Sequence, residues 1–492
     1  MKKIIFIIGV GCAMSISSFA QNDLDVLRYS QTTFGGTARY SSMGGAFGAL
    51  GADFSSLSEN PAGIALFRQT EISFTPSLFN QTTDATYNGN STSDNKYNFN
   101  FGNAGIVATY KNHRGEENGN KNRWVSFNFG FGYNRQNNFN NSIDIKGTNN
   151  SSSQLDDFVA GANGTSYANL NPFSAGLAFN IGLIDTVPGN QAQYQNSSIP
   201  KGTPITQEKA IVTSGSMGET VISFGGNYGN KLFVGGTVGI DRIHYDESSV
   251  YTETILNQSL THLSNYSYSD NVSTEGTGIN LKFGLIYRLN DFIRIGGSFH
   301  TPTLYNMTDV YSNSITAVDD KGIQYNSQSP QGNYNYTLAT PMRATGSIAF
   351  IIAKKGLLSA DYEFEDYSTA SLGSSTPGTF TDVNNSIQTK YTAAGNIRVG
   401  AEYRIVPPIS IRAGYALYGN PFSSNPENAG INGQKTSYTA GFGVHNNNYF
   451  VDFAYVYNTY NQTYYLYNPS LVNPAQNHMI NSSFMVTIVF RY

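Results

Sequence analysis

From about residue 69 to its end the chain alternates apolar and polar positions with a period of two, the pattern of extended strands rather than helices. RWVSFNFGFGY places Val125, Phe127, Phe129, Phe131 and Tyr133 on one face, and GINLKFGLIYR does the same with Ile279, Leu281, Phe283, Leu285 and Tyr287. The chain ends on FMVTIVFRY, where Phe484, Val486, Ile488, Phe490 and Tyr492 lie opposite Met485, Thr487, Val489 and Arg491. In LLSADYEFEDY, Leu358, Ala360, Tyr362 and Phe364 stand against Ser359, Asp361, Glu363 and Glu365. In NIRVGAEYR, Ile397, Val399, Ala401 and Tyr403 stand against Asn396, Arg398, Glu402 and Arg404. Charged faces of this kind are too costly for the dry core of a sandwich but suit a wet lumen.

The connections sharpen this reading. Short turns at 229–230, 289–291, 353–356, 405–408 and 446–448 join successive strands as hairpins do. Long polar stretches at 246–270, 303–333, 368–387, 419–436 and 458–478 separate those hairpins. Short and long connections therefore alternate, as an outer-membrane barrel requires. The expected strands lie near 69–80, 97–111, 122–136, 218–229, 231–246, 272–288, 291–302, 334–353, 356–367, 388–404, 408–418, 436–446, 448–458 and 480–492. The fold class is all-β: a 14-stranded antiparallel transmembrane barrel over 69–492. An even strand number brings both termini to the periplasmic side, and the last strand pairs with the first. Its terminal aromatic resembles the signal read by the barrel-insertion machinery.

Composition agrees with a membrane barrel. Only 13% of the 492 residues are charged, against 34 Tyr, 31 Phe and 50 Gly. A net charge of -4 gives no reason to expect nucleic acid. MKKIIFIIGVGCAMSISSFA has the lysines, apolar stretch and small-residue end of a secretory signal, so 1–20 are set aside from the fold. The one cysteine, Cys12, falls inside it, which leaves the rest without disulfide or thiolate chemistry. No later apolar run reaches the length of a membrane helix, and a closed barrel needs none.

Two segments break the alternation. Residues 21–68 are rich in Gly, Ala and Ser and are the size of a small plug or hatch inside the lumen. Residues 137–217 are too long for an ordinary loop. In that external segment SSSQLDDFVAGA reads as a capped short helix, and NPFSAGLAFNIGLID carries Phe173, Leu177, Phe179, Ile181 and Leu183.

GGAFGALGADFSSLSENPAGIALF ahead of a large barrel resembles the OmpP1/FadL/TodX family of outer-membrane transporters for long-chain fatty acids and other hydrophobic compounds. GLIYRLNDFIRIGGSFHTPT, LLSADYEFEDYS and NIRVGAEYR add to the likeness, which covers nearly all of the chain after residue 20. The resemblance implies a 14-stranded barrel with an N-terminal hatch whose motif is Asn60-Pro61-Ala62, preceded by Asp53. It also implies a monomer among the lipid and lipopolysaccharide of a Gram-negative outer membrane, with a hydrophobic small molecule as cargo.

Each candidate has a plainer alternative. Asn60-Pro61-Ala62 is either the hatch tip beside the ligand path or an ordinary Asn-Pro turn. Phe173, Leu177, Phe179, Ile181 and Leu183 form either an external groove that captures a hydrophobic ligand or the buried stripe of a loop helix. Arg343, Asp361, Glu363, Glu365, Arg398, Glu402 and Arg412 fall on lumen faces, where an ion-pair lattice is the plainer role. Arg343, Arg398 and Arg412 are the candidate partners of a ligand carboxylate. The six histidines have no metal-ligand spacing, and no catalytic motif or cofactor signature is present, so no enzyme, metal or cofactor is expected. The leading function is passive uptake of hydrophobic molecules such as long-chain fatty acids past a mobile hatch. The alternative is a structural or adhesive barrel, or a porin, that moves no hydrophobic ligand.

Overall fold

The computed structural model describes residues 23–112, 123–353, 355–425, 431–446 and 448–492; the expected signal segment lies outside them. Fourteen antiparallel strands close into one barrel. They are β1 (Glu71–Tyr87), β2 (Asn90–Lys111), β3 (Trp124–Asn138, continued by Asn141–Asn149), β4 (Ile205–Tyr228), β5 (Leu232–Ile255) and β6 (Leu263–Arg288). Then come β7 (Ile293–His300, continued by Leu304–Asp319), β8 (Gln324–Gln328, Gly332–Ala339 and Arg343–Ile352) and β9 (Gly356–Asp366, continued by Ser371–Gly373). The circuit is completed by β10 (Ala393–Val406), β11 (Ile409–Tyr418), β12 (Lys435–His445), β13 (Tyr449–Tyr464) and β14 (Ala475–Arg491). β14 pairs with β1, with Glu71 opposite Arg491, and Arg491 Nε donates to Glu71 Oε1 at 2.6 Å. The last strand is thereby a closing seam with no free edge.

The alternation decides which face meets lipid. On β6, Ile279 and Phe283 are 54% and 56% exposed on the outside, whereas Asn280 and Lys282 between them are 4% and 1% exposed. The final strand behaves alike: Phe484, Ile488 and Phe490 face outward, and Met485 and Thr487 are buried inward. Among the described residues no helix is long and apolar enough to cross a membrane, so the strands do the crossing.

The expected turns gather at one end, the periplasmic one for such barrels. The expected long loops are shorter than the polar stretches that suggested them. β5 runs on to Ile255 and β6 begins at Leu263, so most of 246–270 is strand. The reason is that strands outlast the bilayer. Above it the outer face meets water and turns polar, while inward side chains such as Tyr251 and Tyr266, both fully buried, pack under the loops. The apolar face has changed sides. The first hairpin also differs from expectation: β1 and β2 continue to a two-residue turn, Asn88-Gly89, with φ of 48° and 82°. Both values are positive, as a primed hairpin turn demands.

The long external connection is 150–204, because strands take both ends of the expected 137–217. It holds helices α3 (Gln154–Ala162) and α4 (Ala175–Asn180) and a hairpin of Ile184–Val187 with Asn190–Asn196. Ser153 caps α3 in a reciprocal box with Asp156, which fixes the helix start. With Tyr251, Tyr266 and Tyr467 this loop builds an apolar cap over the barrel.

Inside the wall lies the N-terminal segment. Its first element, helix α1 (Asp23–Ser30), meets helix α5 of the external face (Thr381–Lys390), and a short helix α2 (Ala38–Ser42) follows α1. Two 3-10 turns, Phe54–Ser58 and Pro61–Leu66, complete it before β1. Its backbone touches the wall where the wall lacks side chains. A Cβ on Gly284 would sit 1.9 Å from Asn60 Oδ1, and one on Gly414 would sit 2.3 Å from Gly44 N.

Candidate ligand path

The lumen is tiered, as β5 illustrates. Its inward residues are first Phe233, against the hatch, then Thr237, Gly239 and Asp241, then Ile243 and Tyr245. An apolar floor, a charged belt and an aromatic chamber follow one another toward the outside.

Asn60, Pro61 and Ala62 sit at the floor, each buried. Asn60 is the N-cap of the second 3-10 turn: its Oδ1 accepts from Ala62 N at 3.1 Å, and Pro61 occupies the first helical position. Its Nδ2 donates to the carbonyls of Gly48, at 2.6 Å, and Leu285, at 3.3 Å. One side chain thus caps its own turn, ties two parts of the hatch and pins the hatch to β6. Asp53 does similar work, accepting from Thr37 Oγ1 at 2.7 Å and from Ser55 N at 2.9 Å.

The charged belt contains the three candidate arginines in two different situations. Arg398 is buried between Glu59 of the hatch and Glu363, the latter 3.0 Å away. Arg412 is held by Glu402 at 2.6 Å and Asp452 at 2.7 Å, and Arg39 of the hatch joins Glu402 at 3.1 Å. These two are spent on the lattice. Arg343 is half-buried and donates to Thr32 Oγ1, with no carboxylate in ion-pairing distance among the described residues. Asp361 accepts from Gly48 N at 3.0 Å, so it too fastens the hatch. Glu365 is buried beside them on β9. Burial pushes the Glu59 carboxyl up, to about 7, against the pull of Arg398.

Above the belt, Phe139, Met217, Ile243, Tyr245, Tyr305, Met307, Tyr336, Leu338 and Tyr367 form one apolar cluster around α1. Val26, Leu27 and Tyr29 of that helix enter it, with 1%, 9% and 2% exposure. Arg28 lies 4.2 Å over the Tyr245 ring. The start of α1 reaches the external loop helix α5: Asp23 pairs with Lys390 at 2.6 Å, and Tyr391 OH donates to the Asp23 carbonyl at 3.1 Å. Sequence reasoning did not place α1 here. The signal available was the switch of inward residues from charged to aromatic and Met along β4, β5 and β7.

The wall is discontinuous at β3. Ladder pairing between β2 and β3 runs from Lys111–Ser126 to Asn103–Asn134 and stops there. Beyond it β3 breaks between Asn138 and Asn141, and its register against β4 shifts between Arg135 and Asn137. Bonds from side chains span the remainder, some to carbonyls of the facing strand, as from Asn90 Nδ2 to Lys146 O at 2.8 Å, and some to side chains, as where Asn138 Nδ2 donates to Asn98 Oδ1 at 3.3 Å. The hatch fills this place from inside. Thr33 N and Oγ1 both donate to Gln136 O at 3.0 Å, and a Cβ on Gly102 would lie 2.7 Å from Gly36 O.

On the outside, the five loop residues divide. Leu177 and Leu183 are buried in the cap, at 1% and 3% exposure. Phe173, Phe179 and Ile181 are half-buried. Phe173 meets Tyr311 with ring centres 5.0 Å apart, and Phe179 stacks on Tyr167 at 6.3 Å. At the opposite end a cavity of about 350 Å³ opens below the hatch, bordered by Arg39, Asp53, Glu402, Arg404, His445 and Arg491.

The comparisons with known proteins agree with this architecture. A family model described as "Outer membrane protein transport protein (OMPP1/FadL/TodX)" matches residues 28–468. No curated protein matches the chain by sequence. The crystal structure of the Pseudomonas putida toluene transporter TodX superposes with a TM-score of 0.55 at 11% identity, covering 94% of this chain and 99% of that one. A Pseudomonas aeruginosa FadL homologue gives 0.54 at 12% identity, with 94% and 99% covered. At such identities the structural likeness speaks for the fold, while the family match spans most of the chain: the chain belongs to the OMPP1/FadL/TodX family of outer membrane transport proteins.

Proposed function

We propose that the protein takes up hydrophobic molecules of the long-chain fatty acid type by passive diffusion, and that they leave sideways between β2 and β3. The observation that carries this reading is the interrupted ladder above Asn103–Asn134, closed from inside by hatch residues 33–36. A wall without backbone pairing can part without breaking strand hydrogen bonds, and the hatch decides whether it does. Half-exposed Phe173, Phe179 and Ile181 collect the ligand at the outer surface. The aromatic chamber then receives its chain, at about 0.8 kcal/mol per buried methylene. Arg343, at the floor of that chamber and with no carboxylate in ion-pairing distance among the described residues, holds the head group. Asn60, Pro61 and Ala62 set the hatch's position on β6. The hatch is held to the wall by hydrogen bonds and ion pairs, most of them from side chains, which suits diffusion down a gradient.

The test is uptake of labelled oleate by cells lacking their own transporter. In T33C/Q136C the hatch is tied to β3 across the Thr33–Gln136 contact. Oxidised, this variant falls to the background of cells without the protein, and reduction restores uptake. Equal uptake in both states would rule out the hatch as the gate.

A further inference from the structure

The belt contains a charge imbalance that neither transport nor the hatch contacts explain. Glu219 on β4 and Asp241 on β5 are direct cross-strand neighbours, 0% and 2% exposed. Like charges directly opposite one another destabilise a sheet, and buried ones do so more. Among the described residues one cation lies in ion-pairing distance of this pair. Lys282 Nζ lies 2.5 Å from Glu219 Oε1 and also donates to the carbonyl of Ser58 in the hatch at 3.1 Å. Arg343 makes no ion pair with either carboxylate, its hydrogen bond going to Thr32.

The hydrogen bonds leave a consistent remainder. Asn280 Nδ2 is shared among Glu219 Oε1 at 3.4 Å, Asp241 Oδ2 at 2.9 Å and Thr303 Oγ1 at 3.2 Å. Tyr305 OH also donates to Asp241 Oδ2, at 3.0 Å. Each of the three residues therefore has one engaged end. The other ends, Glu219 Oε2, Asp241 Oδ1 and Asn280 Oδ1, are buried and have no partner among the described residues. All three bare atoms are oxygens that accept and cannot donate while the carboxylates are ionised. Gly239 leaves room beside this group: a Cβ there would lie 2.5 Å from the bare Asn280 Oδ1 and 2.3 Å from the engaged Glu219 Oε1.

From this geometry we infer that Glu219, Asp241 and Asn280 bind a small monovalent hard cation of the sodium class, completed by water. Within ion-pairing distance two carboxylates share one ammonium, and with Arg343 adding its field from further off a monovalent ion suffices where a divalent ion overshoots. Carboxylate and amide oxygens are the donors that hard cations select. The set has two carboxylates rather than three or more acidic, His or Cys ligands, a grouping absent among the described residues. The ion sits in the wall beside the Lys282–Ser58 contact, so its binding stiffens the seat of the hatch.

The experiment compares full-length protein in detergent in sodium chloride, potassium chloride and choline chloride at one pH and ionic strength. Folding is read from heat-dependent gel mobility, and crystals soaked in thallium(I) are read by anomalous scattering. The wild type should melt several degrees higher in sodium than in choline and show a thallium peak among the three residues. D241N, whose Glu219–Lys282 pair is already neutral, should lose both the response and the peak while melting in choline no lower than the wild type. Identical melting of the wild type in all three salts, with no thallium peak, would overturn the assignment. An infrared carboxylic-acid band absent from D241N would overturn it in favour of a bound proton. A response to micromolar calcium with none to sodium would overturn the monovalent charge. The wild-type arms decide the matter even where the variant fails to fold, and none of them depends on fatty acid uptake.

Discussion

Asn103 and Asn134 form the last rung between β2 and β3: Asn103 Nδ2 donates to Asn134 Oδ1 at 2.9 Å, and Asn134 Nδ2 passes on to Ser58 Oγ of the hatch at 2.9 Å. Wall and hatch meet at the point where the wall ceases to be a sheet. Closing the wall itself, with the hatch untouched, is therefore informative. In N98C/N138C the bridging residues above the rung are joined across the opening. Oxidation should abolish uptake of labelled oleate and leave heat-dependent gel mobility unchanged. Unaltered uptake would mean that the ligand leaves by another way, such as the cavity below the hatch.

Arg398 offers a stability test. It is buried with Glu59 and Glu363, and removing it leaves two buried carboxyl groups without the cation they share. R398M should lose about 3–5 kcal/mol, seen as a lower melting midpoint. R398K should recover only part of it, because Arg398 Nη2 alone meets both carboxylates and a lysine side chain is one bond too short to place its ammonium there.

Glu59 gives the pH dependence. Burial raises its carboxyl to about 7, above the ordinary range, despite Arg398. A docked hatch therefore binds a proton that an undocked one releases. Docking is strongest below the ordinary carboxyl range and weakens as pH rises through about 7. The side chain of Ala65 is buried within the hatch, and the only native cysteine is Cys12. A65C labelling by a maleimide, normalised to an exposed loop cysteine, should accelerate between about pH 5 and pH 8. E59Q should flatten the slope; an unchanged slope would place the titration elsewhere.

Much of this arrangement was readable from the residues, and the rest was hidden for physical reasons. Barrel, strand number and lumen charges follow from a two-residue period in which lipid enforces one face, as at Ile279 and Phe283. Where lipid ends, at Tyr251 and Tyr266, nothing enforces that face, and strands pass for polar loops. Asn88-Gly89 is a strong hairpin signal that a long polar context obscured. Arg398 and Arg343 looked equivalent because Glu59, which engages Arg398, lies more than 300 positions from it in sequence. The ladder break at β3 has no period to betray it; it depends on where Thr33 and Gly36 come to rest.

The loop residues can be separated by which property each substitution changes. Leu177 is buried in the cap, so L177A should cost about 2–5 kcal/mol and lower the melting midpoint. Phe173 is half-buried against Tyr311, and F173A should cost far less stability. If it collects ligand, F173A instead raises the oleate concentration needed for half-maximal uptake and leaves the maximal rate alone, because capture precedes the passage through the wall. A lowered maximal rate with unchanged concentration dependence would assign Phe173 to the cap and not to capture.

Helix α1 supplies the last test. Val26, Leu27 and Tyr29 occupy the aromatic chamber that the proposed ligand needs, and each buried side chain contributes about 1.5–3 kcal/mol to keeping the helix there. A ligand enters only by displacing or repacking α1, so its apparent affinity is reduced by the cost of doing so. L27S with V26S weakens the helix's hold without touching the wall. Binding of a fluorescent fatty acid by the purified protein should then become tighter, while the heat-dependent mobility of the barrel stays as it was. Weaker binding in the same variant would show that α1 forms part of the ligand's seat.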